Sequence, residues 1–402
     1  MVYLAGKYIF RNFASKPKTI VTVMIKKTML LLYAVVMALC LSAQPYCDVS
    51  TFTIRDGLAA NIISGFTQSK NNLMWFSTWN GLCCYDGYRF MSFRSTPGAG
   101  ETLSTNRIMI IKPSAGGNLW CCTSDRNVYM FDTRKCVFVN VSKMIAEQYG
   151  ENISVRNIYP LANGHTWVVS GNGRANFRIS DSLVADGGGI EEYSVRKGNL
   201  KTNGLHKIEL DGEGREWIFS NRGIQLHGTG FSSEMPFENM VSVGRTLYFA
   251  TLTGLFYSYA PGSSKMRRVS LPAGISKIND AVRYGKRHIL LATDIGVVVY
   301  DTQKAYSRVV PVQHPSQPSP EAVALFTDSR HRVWAYTGGP GITLVDLNTL
   351  TATWLQSEAD SPLHRTSSDK PFFHQDQYGT VWLCPAGGLN LLNFVIDIRV
   401  RC

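Results

Sequence analysis

The sequence contains no C-x-x-C pair, no His/Cys cluster at zinc-ligand spacing and no glycine-rich nucleotide box. These absences leave no motif for metal or nucleotide chemistry, and neither a metal nor a cofactor is expected. Nine cysteines are present, but Cys83-Cys84 and Cys121-Cys122 are adjacent pairs inside strand-like runs. Such spacing is no disulfide framework, and these thiols read as small core residues. Long hydrophobic runs are also lacking: the one clear apolar run, Met29 to Cys40, falls short of the roughly 20 residues that span a bilayer. No span is expected in the mature chain. Helix signals are scarce, whereas 35 glycines and an aromatic content of 11% favour strands and tight turns.

The apolar run belongs to a leader. From Met24 the chain reads MIKKTMLLLYAVVMALCLSAQ, in which Lys26 and Lys27 form a positive n-region and Leu41-Ser42-Ala43 a small-residue cleavage site. Residues 1–43 are therefore read as a signal peptide with extra N-terminal residues, and 44–402 as the mature, exported domain. Leu39 before Cys40 spoils a lipoprotein site. The formal charge of +12 shrinks with the leader, because six of the 41 Lys and Arg lie in it. The remaining basic residues are scattered and form no stripe that tracks phosphates, so nucleic acid is not an expected partner.

What remains is a repeat. Eight segments align at a large apolar anchor followed three places on by Thr, Ser or Pro: Trp75, Trp120, Trp167, Trp217, Tyr248, Leu290, Trp334 and Trp382. Successive anchors lie 45, 47, 50, 31, 42, 44 and 48 residues apart. Six units place glycine six positions after the anchor: Gly81, Gly173, Gly223, Gly254, Gly296 and Gly388. The second and seventh units have Arg126 and Pro340 there and reach Asp132 and Asp346 one residue late, which indicates a longer loop.

Before each anchor an alternating run such as IISGFTQS (62–69) or AVALFTDS (322–329) meets a short polar turn, SKNN, SAGG, DGEG, DSRH or DQYG. After it come a glycine turn, an apolar third strand and often a fourth, as in RFMSFRS (89–95) and TATWLQS (351–357). A four-stranded antiparallel meander repeated at this period cannot bury both faces alone and must stack on its neighbours. The fold class is all-β, a β-propeller of four-stranded antiparallel blades, with the anchors packed between blades. FTIRDGL (52–58) reads as a lone fourth strand that closes the ring by completing the eighth unit, whose own fourth strand is replaced by FVIDIRVRC (394–402). Eight blades are favoured; seven plus an extra unit is the competing arrangement.

The D-x-x-G turn, the W-x-x-T-x-x-G-L core, the aromatic-Asp finish and DGLAAN (56–61) together resemble the two-component regulator propeller repeat, over residues 52–393. That resemblance implies the periplasmic sensor region of a Bacteroidetes hybrid two-component histidine kinase, which detects breakdown products of complex polysaccharides. It implies an oligosaccharide or other small ligand as partner, and leaves self-association as a dimer open. Such sensors usually continue through a second propeller, a β-sandwich, a transmembrane helix, a kinase and a receiver; none of these follows Cys402. The expectation is a sensor propeller without its kinase part, and no enzyme. A protein-interaction platform and a propeller glycosidase or lyase are the rivals. DGEGREW (211–217) resembles a sialidase Asp-box, but those turns lie opposite the active face.

In a propeller the loops between second and third strands share one face with the blade entries. The former offer Trp79, Asn80, Asp125, Arg126, Asn172, Asn221, Arg222 and Asp294, and the latter Asn61, Asn106, Arg107, Arg156, Asn157, Asn279 and Asp280. Arginine and Asn/Asp beside a tryptophan suit a glycan, because hydroxyls need donors and acceptors while sugar faces stack on rings. Trp79 is the leading candidate, since turn chemistry gives no reason for a large aromatic there. Arg174 stands out because other units have leucine at its place, Leu82, Leu255 and Leu389.

Overall fold

The computed structural model describes residue 29 and residues 46–95, 103–150, 152–171, 175–183, 189–194, 197–201, 204–312, 319–337, 342–355, 372–384 and 389–395. The leader expected over 1–43 lies outside them, residue 29 apart. The chain divides into two compact units, Val49–Leu392 and a smaller one formed by Met1–Asp48 and Asn393–Cys402. The larger carries the repeat, and the strands Tyr46–Phe52 and Leu389–Val395 run across the division.

The described strands form eight four-stranded sheets. The first sheet runs Ile63–Gln68, Met74–Thr78, Gly81–Tyr85 and Phe90–Phe93, each strand antiparallel to the one before. Six further sheets repeat this meander in sequence order. First strands lie side by side from the first to the fourth sheet and from the fifth to the seventh, the second strand of the fourth meets the first strand of the fifth, and Ile63–Gln68 also meets Phe372–Gln375 of the eighth sheet, so the series returns to its start. At the seventh-to-eighth step Phe326 stacks on Phe373 with centroids 5.5 Å apart. This is a closed β-propeller of eight blades, with the first strand of each blade innermost.

The eighth blade has the order Tyr46–Phe52, Leu389–Val395, Val381–Cys384, Phe372–Gln375. Its outer strand thus comes from the N-terminal side, as expected, but about one strand earlier than 52–58. Residues 54–56 instead form a single 3-10 turn, because Thr53 and Asp56 cap it reciprocally and Gly57 ends it at φ 106°. Phe52 is the hinge of the closure: its ring packs on Trp382 of the eighth blade and on Tyr85 and Phe90 of the first.

Each signature residue has a structural task. All eight anchors are buried, and they face the next blade, as Trp75 on Phe131, Trp217 on Phe249 and Trp382 on Phe76 show. A buried indole N–H needs an acceptor. The turn carboxylate six residues earlier supplies it from Asp211 to Trp217 (2.9 Å), Asp328 to Trp334 (3.0 Å) and Asp376 to Trp382 (2.8 Å). In the first blade the Ser69 hydroxyl does this for Trp75. Trp120 and Trp167 instead donate across the blade boundary to Asp181 and Glu216. The Asp-box-like turn is therefore a tryptophan clamp.

The threonine or serine three places on closes the next turn, Thr78 onto the Gly81 carbonyl, Ser220 onto Gly223 and Thr293 onto Gly296. Glycine is required there: at Gly223, φ is 151° and a Cβ would sit 1.9 Å from the Ser233 carbonyl oxygen of the outer strand. The terminal aspartates Asp86, Asp132, Asp301 and Asp346 each accept two backbone N–H groups of the following turn.

Two features depart from the simple meander. A helix, Val141–Tyr149, capped by Asn140, follows the second blade and packs Val141 and Ile145 into the core between the second and third blades. The innermost strands of blades one to six each carry a bulge near their start, at Ser64, Met109, Arg156, His206, Glu238 and Asn279. Cys83, Cys84, Cys121 and Cys122 are free and buried in the core, and burial pushes the Cys84 and Cys122 thiols up to about 12. The Cys84 and Cys122 thiols stay protonated and unreactive.

Candidate functional site at the loop rim

Backbone hydrogen bonds join the loops between second and third strands to the blade entries around one rim. Trp79 N donates to the Ile62 carbonyl, Gly81 N to Asn106, Ser124 N to Arg107, Val155 N to Arg126, Gly171 N to Ser154, Asn221 N to Gly204 and Ala322 N to Thr293. The two groups of residues expected to share a face do so. The inner-strand bulges lie at the same end, where each inserts one extra residue into the strand.

Trp79 and Arg107 meet. The guanidinium carbon of Arg107 stands 3.5 Å from the Trp79 ring centroid, within the range in which a cation is attracted to the ring face. Trp79 is 42% exposed. Arg107 Nε is buried and has no hydrogen-bond partner. Met109, two residues after Arg107, and Ile62, whose carbonyl accepts from Trp79 N, are both exposed beside the pair. Further round, Arg126 adopts φ 67° in its turn and is exposed, as are Arg156, Asn221 and Arg222.

Other expected site residues are held by the rim itself. Asn80 Nδ2 donates to the Ala59 carbonyl, and Asn106 Oδ1 accepts from Ser95 N. Asn61 Oδ1 accepts from Ile54 N. Asp125 accepts from the Thr123 hydroxyl and Asn127 Nδ2; burial raises its pKa, but these bonds and one from Ser104 outweigh that and hold it below the ordinary carboxylate value. Asp294 clasps the entry of its own blade, taking bonds from Ser276 N, the Ser276 hydroxyl and Lys277 N. Against the opposing effect of burial, they keep its carboxyl low. Asn157 bonds Tyr159 and its neighbour's N–H, Asn279 bonds Glu321 and Ala322, and Asp280 takes Leu325 N. Asn172 and Arg174 lie outside the described residues.

Sequence reasoning missed Met109, His206 and Glu238, which reach the rim only because a bulge turns them. His206 Nε2 lies 3.1 Å from Glu238 Oε2, without hydrogen-bond alignment. The signal available was a break in strand alternation, too slight to read unaided.

A cleft of about 700 Å³ opens at the opposite end, between the second and third blades, lined by Asn118, Asp132, Arg134, Lys135, Asn163 and Asp181 among others. Its acids are already occupied: Asp132 caps Arg134 N and Lys135 N, and Asp181 accepts from Ala115 N, Trp120 and Thr166. The expected site residues are elsewhere.

Among solved structures the chain is similar to the extracellular domain of the hybrid two component system BT3049 from B. thetaiotaomicron. The TM-score is 0.54 at 14% identity, over 87% of this chain and 42% of that one. The fold is shared with that extracellular domain. It is shared equally with streptogramin B lyase (TM-score 0.50, 16% identity, 87% of this chain and 98% of that one). PorZ, a surface component of the type-IX secretion system of Porphyromonas gingivalis, is a third neighbour (TM-score 0.50, 15% identity, 83% and 52%). No family model and no curated protein matches the sequence. The chain spans 42% of the length of the BT3049 domain. Among the described residues no helix is long and apolar enough to cross a membrane.

Proposed function

We propose that this chain is the ligand-sensing propeller of a hybrid two-component signalling system, acting in the periplasm and recognising a polysaccharide-derived oligosaccharide at the Trp79–Arg107 rim. The observation that carries the reading is the pair itself: a large aromatic, 42% exposed, with a guanidinium 3.5 Å from its ring centre. Sugar recognition uses this combination, apolar ring face beside fixed N–H donors. The repeat's resemblance to two-component regulator propellers supports the signalling context, and the fold shared with BT3049 is consistent with it.

We assign the rim no catalytic role. Asp125 and Asp294 accept hydrogen bonds within the rim and are held below the ordinary carboxylate value, so neither is poised to donate a proton at neutral pH. The fold shared with a lyase does not alter that, since fold alone carries no chemistry.

Isothermal calorimetry of the whole chain against a panel of oligosaccharides tests the reading. One selective binder is expected, with binding lost in Trp79→Ala while the melting temperature stays near that of the parent, because exposed side chains contribute within about 0.5 kcal/mol. Silence across a broad panel would transfer the assignment to a protein-interaction platform.

A further inference from the structure

Several arginines away from the rim carry a counter-charge. Away from the rim, Arg89 pairs with Asp86, Arg178 with Glu191 and Glu216, Arg215 with Asp211 and Glu213, Arg287 with Asp301, and Arg332 with Asp328. On the rim, Arg107, Arg126 and Arg156 enter no ion pair among the described residues, and the only aromatic contact of the three is Arg107 on Trp79.

These three form a continuous arc over the first to third blades. Ser124 N donates to the Arg107 carbonyl at 2.9 Å, two residues before Arg126. Val155 N donates to the Arg126 carbonyl at 2.9 Å, one residue before Arg156, and Arg156 is the unpaired residue of its bulge. The arc holds one acid, Asp125, whose oxygens are taken by Thr123 and Asn127. Arg107, Arg126 and Arg156 thus carry like charge on backbone-linked loops without an ion-pair partner among the described residues, and that arrangement favours an anion arriving from solution. Stacking on Trp79 fixes the Arg107 plane, and its buried Nε–H has no partner within the protein. A planar donor edge of this kind matches a carboxylate or sulfate in bidentate fashion.

We infer that the ligand of this rim is an anionic oligosaccharide, bearing carboxylate or sulfate-ester groups that Arg107, Arg126 and Arg156 engage while Trp79 and its apolar border pack against the sugar. The inference rests on the sensor reading above and narrows it to acidic glycans.

Calorimetry on the whole chain with four probes tests it: trigalacturonate, which carries carboxylates alone; a κ-carrageenan tetrasaccharide, which carries sulfates alone; and neutral maltotriose and cellotriose. An acidic probe is expected to bind and both neutral ones to fail. Affinity should fall as salt is raised. Arg126→Gln and Arg156→Gln, both at exposed positions, should each weaken binding about tenfold or more, the effect of losing one charge-assisted hydrogen bond. Which acidic probe binds assigns the group. Tight binding of a neutral probe, unmoved by salt or by the arginine variants but abolished by Trp79→Ala, would overturn the anionic inference and leave the sensor reading standing. Binding of none of the four in the wild-type chain overturns the inference; silence of the wider oligosaccharide panel as well would remove the sensor reading.

Discussion

An indole N–H sealed between two sheets has lost its water and must find an acceptor in the protein. Asp211 meets that need for Trp217 and at the same time takes Arg215 Nε and the backbone N–H groups of Glu213 and Arg215. Burial works against its charge, but the bonds from Trp217 and Arg215 prevail and hold its carboxyl below the ordinary range. Asp211→Ala orphans these donors, and each buried one costs about 1–3 kcal/mol; a lower urea midpoint with unchanged slope is the expected result. The sign of the pH dependence follows. A carboxyl depressed in the folded state contributes stability that is complete above its unfolded value, about 3.9, and is lost as pH falls through the lower folded value. Asp328 is held low in the same way, by Trp334 and Arg332 against burial. Melting temperature should therefore hold from neutrality to about pH 5 and drop below about pH 4. Asp211→Asn should show a shallower acid limb than the parent, and an identical limb would contradict the assignment.

At the scale of elements, blades differ in how firmly their outer edges are held. The fourth strand of the sixth blade, Tyr306–Val310, pairs along all five residues, from Asp301–Tyr306 to Val297–Val310. In the fourth and fifth blades the outer strands are only Ser232–Ser233 and Arg267–Arg268, with two pairings each. Few outer hydrogen bonds permit local opening at low free energy. Hydrogen exchange by mass spectrometry should find the amides of 232–233 and 267–268 exchanging well before those of 306–310; equal protection would refute this.

The same elements show what the sequence made legible. Meanders, anchors and turns could be read because they recur, and because Trp, Thr, Gly and Asp each answer a local demand that has one cheap solution. The 31-residue spacing between Trp217 and Tyr248 corresponds to the blade whose outer strand is only Ser232–Ser233. The helix Val141–Tyr149 was not foreseen, since it occurs once and its apolar face matches only the groove beside the second blade. The bulges at Met109, His206 and Glu238 were hidden because a single extra residue leaves composition unchanged. At the rim, Trp79 and Arg107 were each named, but their contact depends on stagger between blades that no local pattern encodes. Asp125 and Asp294 looked like ligand groups because a capping carboxylate and a binding one have the same spelling.

For the molecule as a whole, the governing fact is closure. Stacked repeats touch only their neighbours, so an open array can fray from either end. Here the first and eighth blades share an interface, and the strand ending at Phe52 joins the eighth sheet before the chain passes into the first. Phe52 sits where the two meet, 5.2 Å from Tyr85, 5.4 Å from Phe90 and 6.2 Å from Trp382 between ring centroids. Because Phe52 is only partly buried, Phe52→Ala should cost about 2 kcal/mol, less than the 3–5 of a sealed phenylalanine. The location of the damage is the sharper test. If this seam closes the ring, protection in hydrogen exchange should fall first in Val381–Cys384 and Ile63–Gln68, on either side of it, and the inner strands Phe237–Val243 and Ile278–Tyr284 across the ring should keep theirs. A loss spread evenly over all blades would mean that the propeller unfolds as one unit and that the seam is no weaker than any other interface. The Trp79–Arg107 rim belongs to the first two blades, so the same variant should loosen ligand binding as well, tying the integrity of the site to the strand that completes the circle.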